Sequence, residues 1–73
     1  MPPKLPQKYR DIHRKLLALG FIVDRTSGSH VVYRHPESFR RAVVPKHVRE
    51  IPKGTVKAII RESGIDLDAF LSA

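Results

Sequence analysis

Apolar positions recur at helical spacing in the first part of the chain. Tyr9, Ile12, Leu16 and Leu19 fall every three or four residues, with Leu17 beside them. They predict a helix from about Gln7 with one apolar face. Pro6 suits its first turn, and Gly20 supplies a left-handed C-terminal cap. Lys8, Arg10, Arg14 and Lys15 fall largely on the opposite, wet face. The pattern then changes. Phe21–Asp24, His30–Arg34 and Arg40–Val44 are short runs rich in β-branched residues, and they read as strands. Arg25–Ser29, with Ser27-Gly28-Ser29, and His35-Pro36-Glu37-Ser38 are the turns between them; Pro45 closes the third run. Runs so short and so closely spaced predict an antiparallel meander.

Lys46–Ile51 reads as a polar loop. A second helix opens at Pro52-Lys53-Gly54-Thr55 with Thr55 as candidate N-cap, buries Val56, Ile59 and Ile60, and ends at Gly64. Asp66 caps a last short helical segment in which Leu67, Phe70 and Leu71 are apolar. Met1–Leu5, with Pro2 and Pro3, is a loose lead-in to a single domain over residues 1–73. The predicted fold class is α+β, in the order helix, three strands, helix. So small a sheet buries one face under the helices and leaves the other to solvent. Side chains alternate along a strand. Val31 and Tyr33 are the better core pair of the second strand, which sets His30 and Arg34 on the open face. In the third strand Ala42 and Val44 compete with Arg41 and Val43 for the core.

Charge adds a partner class. Among 73 residues, 14 Lys and Arg face 7 Asp and Glu, for a net charge of +7 and a pI near 10.4. The cations run from Lys4 to Arg61, so they mark a folded basic surface suited to a polyanion. A chain this short buries only about 60% of its unfolded surface, and a deep catalytic pocket is not expected. With no cysteine, disulfides, thiolate chemistry and zinc fingers are excluded. No stretch has the length of a membrane span, and the basic lead-in has no apolar run behind it as a signal peptide would. The expected location is cytoplasmic.

His30 is the candidate for chemistry. It follows the glycine turn Ser27-Gly28-Ser29 at the mouth of a strand, and imidazole exchanges a proton near neutral pH. RNA carries its own nucleophile, the 2′-hydroxyl. A ribonuclease therefore needs a proton acceptor, a stabiliser of phosphate charge and alignment of the attack. Gly28 permits a turn that exposes amides to an anion; Ser29 hydrogen-bonds a phosphate or, as the plainer role, closes the turn. Arg34 shares the face of His30 about 13 Å along the strand, where it suits a neighbouring phosphate, and Arg25 lies on the facing turn. Lys53 and the amides of Gly54-Thr55 form another candidate anion site at a helix start.

The ordered series Gly20-Phe21, Gly28-Ser29-His30 with Tyr33, His35-Pro36, Val44-Pro45 with His47, Gly54-Thr55 with Ile59-Ile60, and Gly64 resembles the HicA (YcfA-like) mRNA-interferase toxins of bacterial type II toxin–antitoxin systems. The resemblance covers about Lys8–Phe70. It implies a double-stranded-RNA-binding-domain-like fold and a metal-independent endoribonuclease acting on mRNA. It also implies a catalytic histidine at His30 and a HicB-type antitoxin that covers it. The departure is the longer, proline-bearing lead-in. No cofactor is expected. A metal site joining His30, His35 and His47 is rejected, because His30 and His35 take opposite strand faces and no carboxylate joins them at ligand spacing. His13 reads as a partly exposed helix residue, and Tyr33 as core and not a base-stacking platform. Two rivals compete: a non-catalytic RNA-binding module, weakened because Pro52–Arg61 carries only Lys53, Lys57 and Arg61, and a small domain that meets an acidic protein.

Overall fold

The computed structural model describes residues 4–73. Its first helix, α1, is Tyr9–Ala18. Ile12 and Leu16, one turn apart, are fully buried, whereas Leu17 is exposed. The helix starts two residues later than the periodicity predicts. Gln7 is held instead by Ile51, whose N–H donates to the Gln7 carbonyl at 2.7 Å while the Gln7 side-chain amide returns a bond to the Ile51 carbonyl at 3.1 Å. Gly20 takes φ +94°, and the N–H groups of Gly20 and Phe21 donate to the carbonyls of Leu17 and Leu16. That is the Schellman closure, which glycine adopts at least cost. Of the predicted loose lead-in, Met1–Pro3 lie outside the described residues, and Leu5 is packed against the core.

Three strands follow: β1, Ile22–Ser27; β2, His30–Arg34; and β3, Arg41–Pro45. They form one antiparallel sheet in the order β1-β2-β3. β1 runs three residues past its predicted end because Thr26 and Ser27 pair with Val31 and His30. The turn thus shrinks to Gly28-Ser29, with Gly28 at φ +58°, the first central position where a II′ hairpin demands glycine. β3 is displaced by one residue, since Arg40 closes the preceding turn by accepting from the His35 N–H at 2.9 Å. Register settles the parity of β3. Ala42 and Val44, opposite Tyr33 and Val31, are buried, and Val43 is exposed.

The helices α2, Lys53–Ser63, and α3, Leu67–Ser72, close the core. Val56, Ile59 and Ile60 of α2 and Phe70 of α3 join Ile12, Leu16, Phe21 and the inward residues of the sheet. Thr55 is not the N-cap. The helix starts three residues earlier, behind Pro52, with no side-chain cap bond, because proline already fixes the φ of the entry. Gly64 ends α2 at φ +72°, and the Asp66 carboxylate accepts from the Ala69 N–H at 3.2 Å as the cap of α3. Two residues assigned to solvent are in fact buried. Ile51, at the end of the polar loop, sits in the core with its backbone groups held by Gln7. Lys15 is only 8% exposed. Its ammonium donates to the carbonyls of Leu71 at 2.8 Å and Ala73 at 2.9 Å, at the C-terminal end of α3, where a cation is favoured. The result is an α+β fold whose three-stranded antiparallel sheet is flanked by helices, in the manner of a double-stranded-RNA-binding domain.

Candidate functional site

The sheet face away from the core carries most of the candidate residues. In an antiparallel ladder, residues directly opposite one another share a face, so the register lays out three rows. Ser27, His30 and Pro45 form the first; Arg25, Val32 and Val43 the second; Ile22, Arg34 and Arg41 the third. His30 is exposed at one end of this face, and Arg34 with Arg41 at the other. Val32 is only 7% exposed although it lies on the open face; it occupies the central strand between Arg25 and Val43, which crowd it from both sides.

Among the described residues the imidazole of His30 has one hydrogen-bond partner, the Ser29 hydroxyl, whose Oγ lies 3.4 Å from Nδ1. No hydrogen bond to the His30 Nε2 is made among the described residues. The turn behind it is pinned from β3, because the Lys46 N–H donates to the Ser29 carbonyl at 2.6 Å. Lys46 therefore stands beside the turn that carries His30, with His47 next along the chain. Sequence reasoning placed Lys46 in a polar loop with no role; its available signal was its position directly after the Val44-Pro45 closure of the third strand.

Arg25 is a strand residue and not part of a turn. It lies opposite Val32, one row from His30. A β-bulge between Val23 and Arg25 leaves Asp24 as the extra residue, and bulges re-aim the side chain they release. Here the Asp24 carboxylate comes within 3.8 Å of Arg34 Nε. Arg34 is thereby partly neutralised, while Arg25 and Arg41 make no ion pair among the described residues. Gly28 and Ser29 border His30 as predicted. Lys53 does not join the group. It lines a shallow cavity of about 470 Å³ with Lys4, Leu5, Gln7 and Lys57, none of which belongs to the open sheet face.

Two other histidines, His35 and His13, do structural work. His35 Nδ1 accepts from the N–H groups of Glu37 and Ser38 at 3.2 and 3.3 Å, and its ring meets Phe21 edge-on with centroids 5.0 Å apart. His13, half-buried, lies with Nδ1 2.7 Å from the Tyr33 hydroxyl, which is itself 2.9 Å from the Tyr9 hydroxyl. The Tyr33 ring is fully buried. Burial, and next the bond with Tyr9, push its hydroxyl far above the usual phenol range. Tyr33 is thus a core residue with a satisfied polar end. Among the described residues no three His, Asp or Glu side chains gather as a metal-binding group, and no helix is long and apolar enough to cross a membrane.

A comparison with curated proteins finds no match. A family model described as the HicA toxin of bacterial toxin–antitoxin systems matches residues 9–65, a span that runs from the start of α1 past the end of α2 and includes every residue of the open sheet face. The chain therefore belongs to the HicA toxin family, as the toxin component of a toxin–antitoxin system with a cognate antitoxin as its partner.

Proposed function

We propose that this toxin is a metal-independent endoribonuclease that cleaves mRNA with His30 as its general acid–base residue. The reading rests chiefly on the exposure of His30 at the end of a sheet face that also presents Arg25, Arg34 and Arg41. A neutral imidazole accepts the proton of the 2′-hydroxyl as O2′ attacks the adjacent phosphorus, and the imidazolium so formed returns the proton to the departing 5′-oxygen as the P–O5′ bond breaks. The RNA supplies the nucleophile, so the bond changes need no metal-bound water. Charge that develops on the phosphate is met by cations held in fixed positions on the strands, with Lys46 beside the turn. Gly28 and Ser29 shape the turn; Arg25 and Arg34 hold flanking phosphates, and Lys53 a more distant one. A HicB-type antitoxin would inhibit by covering the open face and His30. The cytoplasm, where mRNA is translated, is the proposed site of action.

The test is cleavage of a structured mRNA by the wild type and by His30→Ala, both in excess EDTA, with the new ends analysed. Wild-type cleavage should yield a cyclic phosphate and a 5′-hydroxyl. The variant should fold and lose about two to four powers of ten in rate. A 5′-phosphate product, or abolition of cleavage by EDTA, would overturn the mechanism. If neither protein cuts and both bind RNA equally, a non-catalytic RNA-binding module takes its place.

A further inference from the structure

We infer that Phe39 is a stacking platform for an unpaired base of the RNA substrate; this rests on the ribonuclease reading above. Phe39 lies in the turn between β2 and β3 and is 75% exposed, the most of any large hydrophobic residue described. It is also the one non-glycine residue described with a positive φ, +61°. Both features are unfavourable. An aromatic ring in water forfeits burial, and a bulky side chain in the left-handed region is strained. Glycine would relieve both at this position. Strain retained at an exposed residue points to a use for the side chain there.

The turn is built to hold that residue still. The Phe39 N–H donates to the His35 carbonyl at 2.9 Å, and the His35 N–H donates to the Arg40 carbonyl at 2.9 Å. The His35 ring accepts from the backbone inside the turn and is wedged against Gly20 and Phe21. An aromatic whose backbone is fixed in advance loses less freedom on binding.

The surroundings select the ligand. Arg41 follows two residues after Phe39 and lies opposite Arg34 on the open face, while the Arg40 side chain lies against Gly64 at the end of α2. An exposed ring beside a cationic track is the composition of a single-strand binding surface, in which cations follow the backbone and the ring accepts any base. Phe39 is at the opposite end of β2 from His30, which is about 13 Å from Arg34 alone. The base it stacks is therefore remote from the scissile phosphate, and its contribution is to grip and align an unpaired stretch of the substrate.

The test uses the His30→Ala protein, which should bind RNA without cutting it. In that background Phe39→Ala and Phe39→Gly should each weaken binding of a single-stranded oligoribonucleotide about 5- to 150-fold, the range for loss of one stacked base. Both should leave binding of a blunt RNA duplex unchanged. Phe39→Gly should also raise thermal stability, which a merely structural phenylalanine would not allow. The chain has no tryptophan, so Phe39→Trp creates a single reporter whose fluorescence the oligonucleotide should quench. Unchanged single-strand affinity in both variants overturns the inference, as does an equal loss for duplex and single strand. A loss confined to binding of the cognate antitoxin reassigns Phe39 to a protein contact. If His30→Ala with Phe39 intact binds no RNA, the ribonuclease reading fails first and this inference with it.

Discussion

The backbone N–H of Lys46 donates to the carbonyl of Ser29 at 2.6 Å, fastening the end of β3 to the turn that carries His30. This bond brings a lysine distant in sequence alongside the candidate catalytic residue.

Lys46→Ala should therefore weaken RNA binding about equally across sequences and reduce the slope of log affinity against log salt by about 1. Lys46→Arg should restore the slope. Titrations at several salt concentrations decide the matter; an unchanged slope in Lys46→Ala removes this side chain from the interface.

Tyr33→Phe should destabilise the protein by about 1–3 kcal/mol, because Tyr9 and His13 each lose a partner in a partly buried cluster. The same hydroxyl governs alkaline stability. Its folded-state pKa is raised, by burial first and by the Tyr9 bond second. The folded protein thus keeps a proton that the unfolded chain releases above a pH of about 10. The stability contributed by the neutral hydroxyl is whole below that pH and is lost as pH rises through the folded-state value. Denaturant unfolding between pH 8 and 11 should show a steeper alkaline fall for the wild type than for Tyr33→Phe.

Two glycines with positive φ should differ in what they tolerate. A Cβ at Gly20 would lie 2.8 Å from His35 Nε2, while one at Gly28 meets nothing within 4 Å. Gly28→Ala should cost about 1–2 kcal/mol from the left-handed backbone alone. Gly20→Ala should cost more, since His35 is held by two backbone N–H groups and by Phe21 and yields little. Thermal melts of both variants test the order.

The cap of α3 and the false cap of α2 make a matched pair. Asp66→Ala should cost about 1 kcal/mol, because the carboxylate accepts from the Ala69 N–H. Thr55→Ala should stay within about 0.5 kcal/mol, since Thr55 lies exposed inside the first turn and caps nothing. Equal costs would contradict the assignment of Pro52 as the α2 boundary.

Much of this was legible along the chain because it depends on neighbours in sequence. Periodicity located α1 and α2, and Gly20, Gly28 and Gly64 marked the points where the backbone needs a positive φ. Of the two parities that alternation allows for β2, the preferred one, with Val31 and Tyr33 inward, is the one adopted. The Gly28-Ser29-His30 turn and the excess of cations were visible before any coordinates, as was the likeness to the HicA toxins that the family match establishes.

What the sequence by itself determined, then, was the order of elements, the glycines that end α1 and α2 and turn the first hairpin, and the basic character of the molecule, because local backbone preference and summed charge are properties of short segments and of composition. The tertiary structure decided the rest. Register chose Ala42 and Val44 over Val43 for the core, and placed Arg25 and Arg41 on the face of His30. Long-range closure buried Lys15 against the carbonyls of α3, set Ile51 in the core opposite Gln7, and tied Lys46 to Ser29. Each of these depends on which distant groups can satisfy one another's hydrogen bonds and fill one another's space, a condition set by the packed molecule as a whole and not by any window of its sequence.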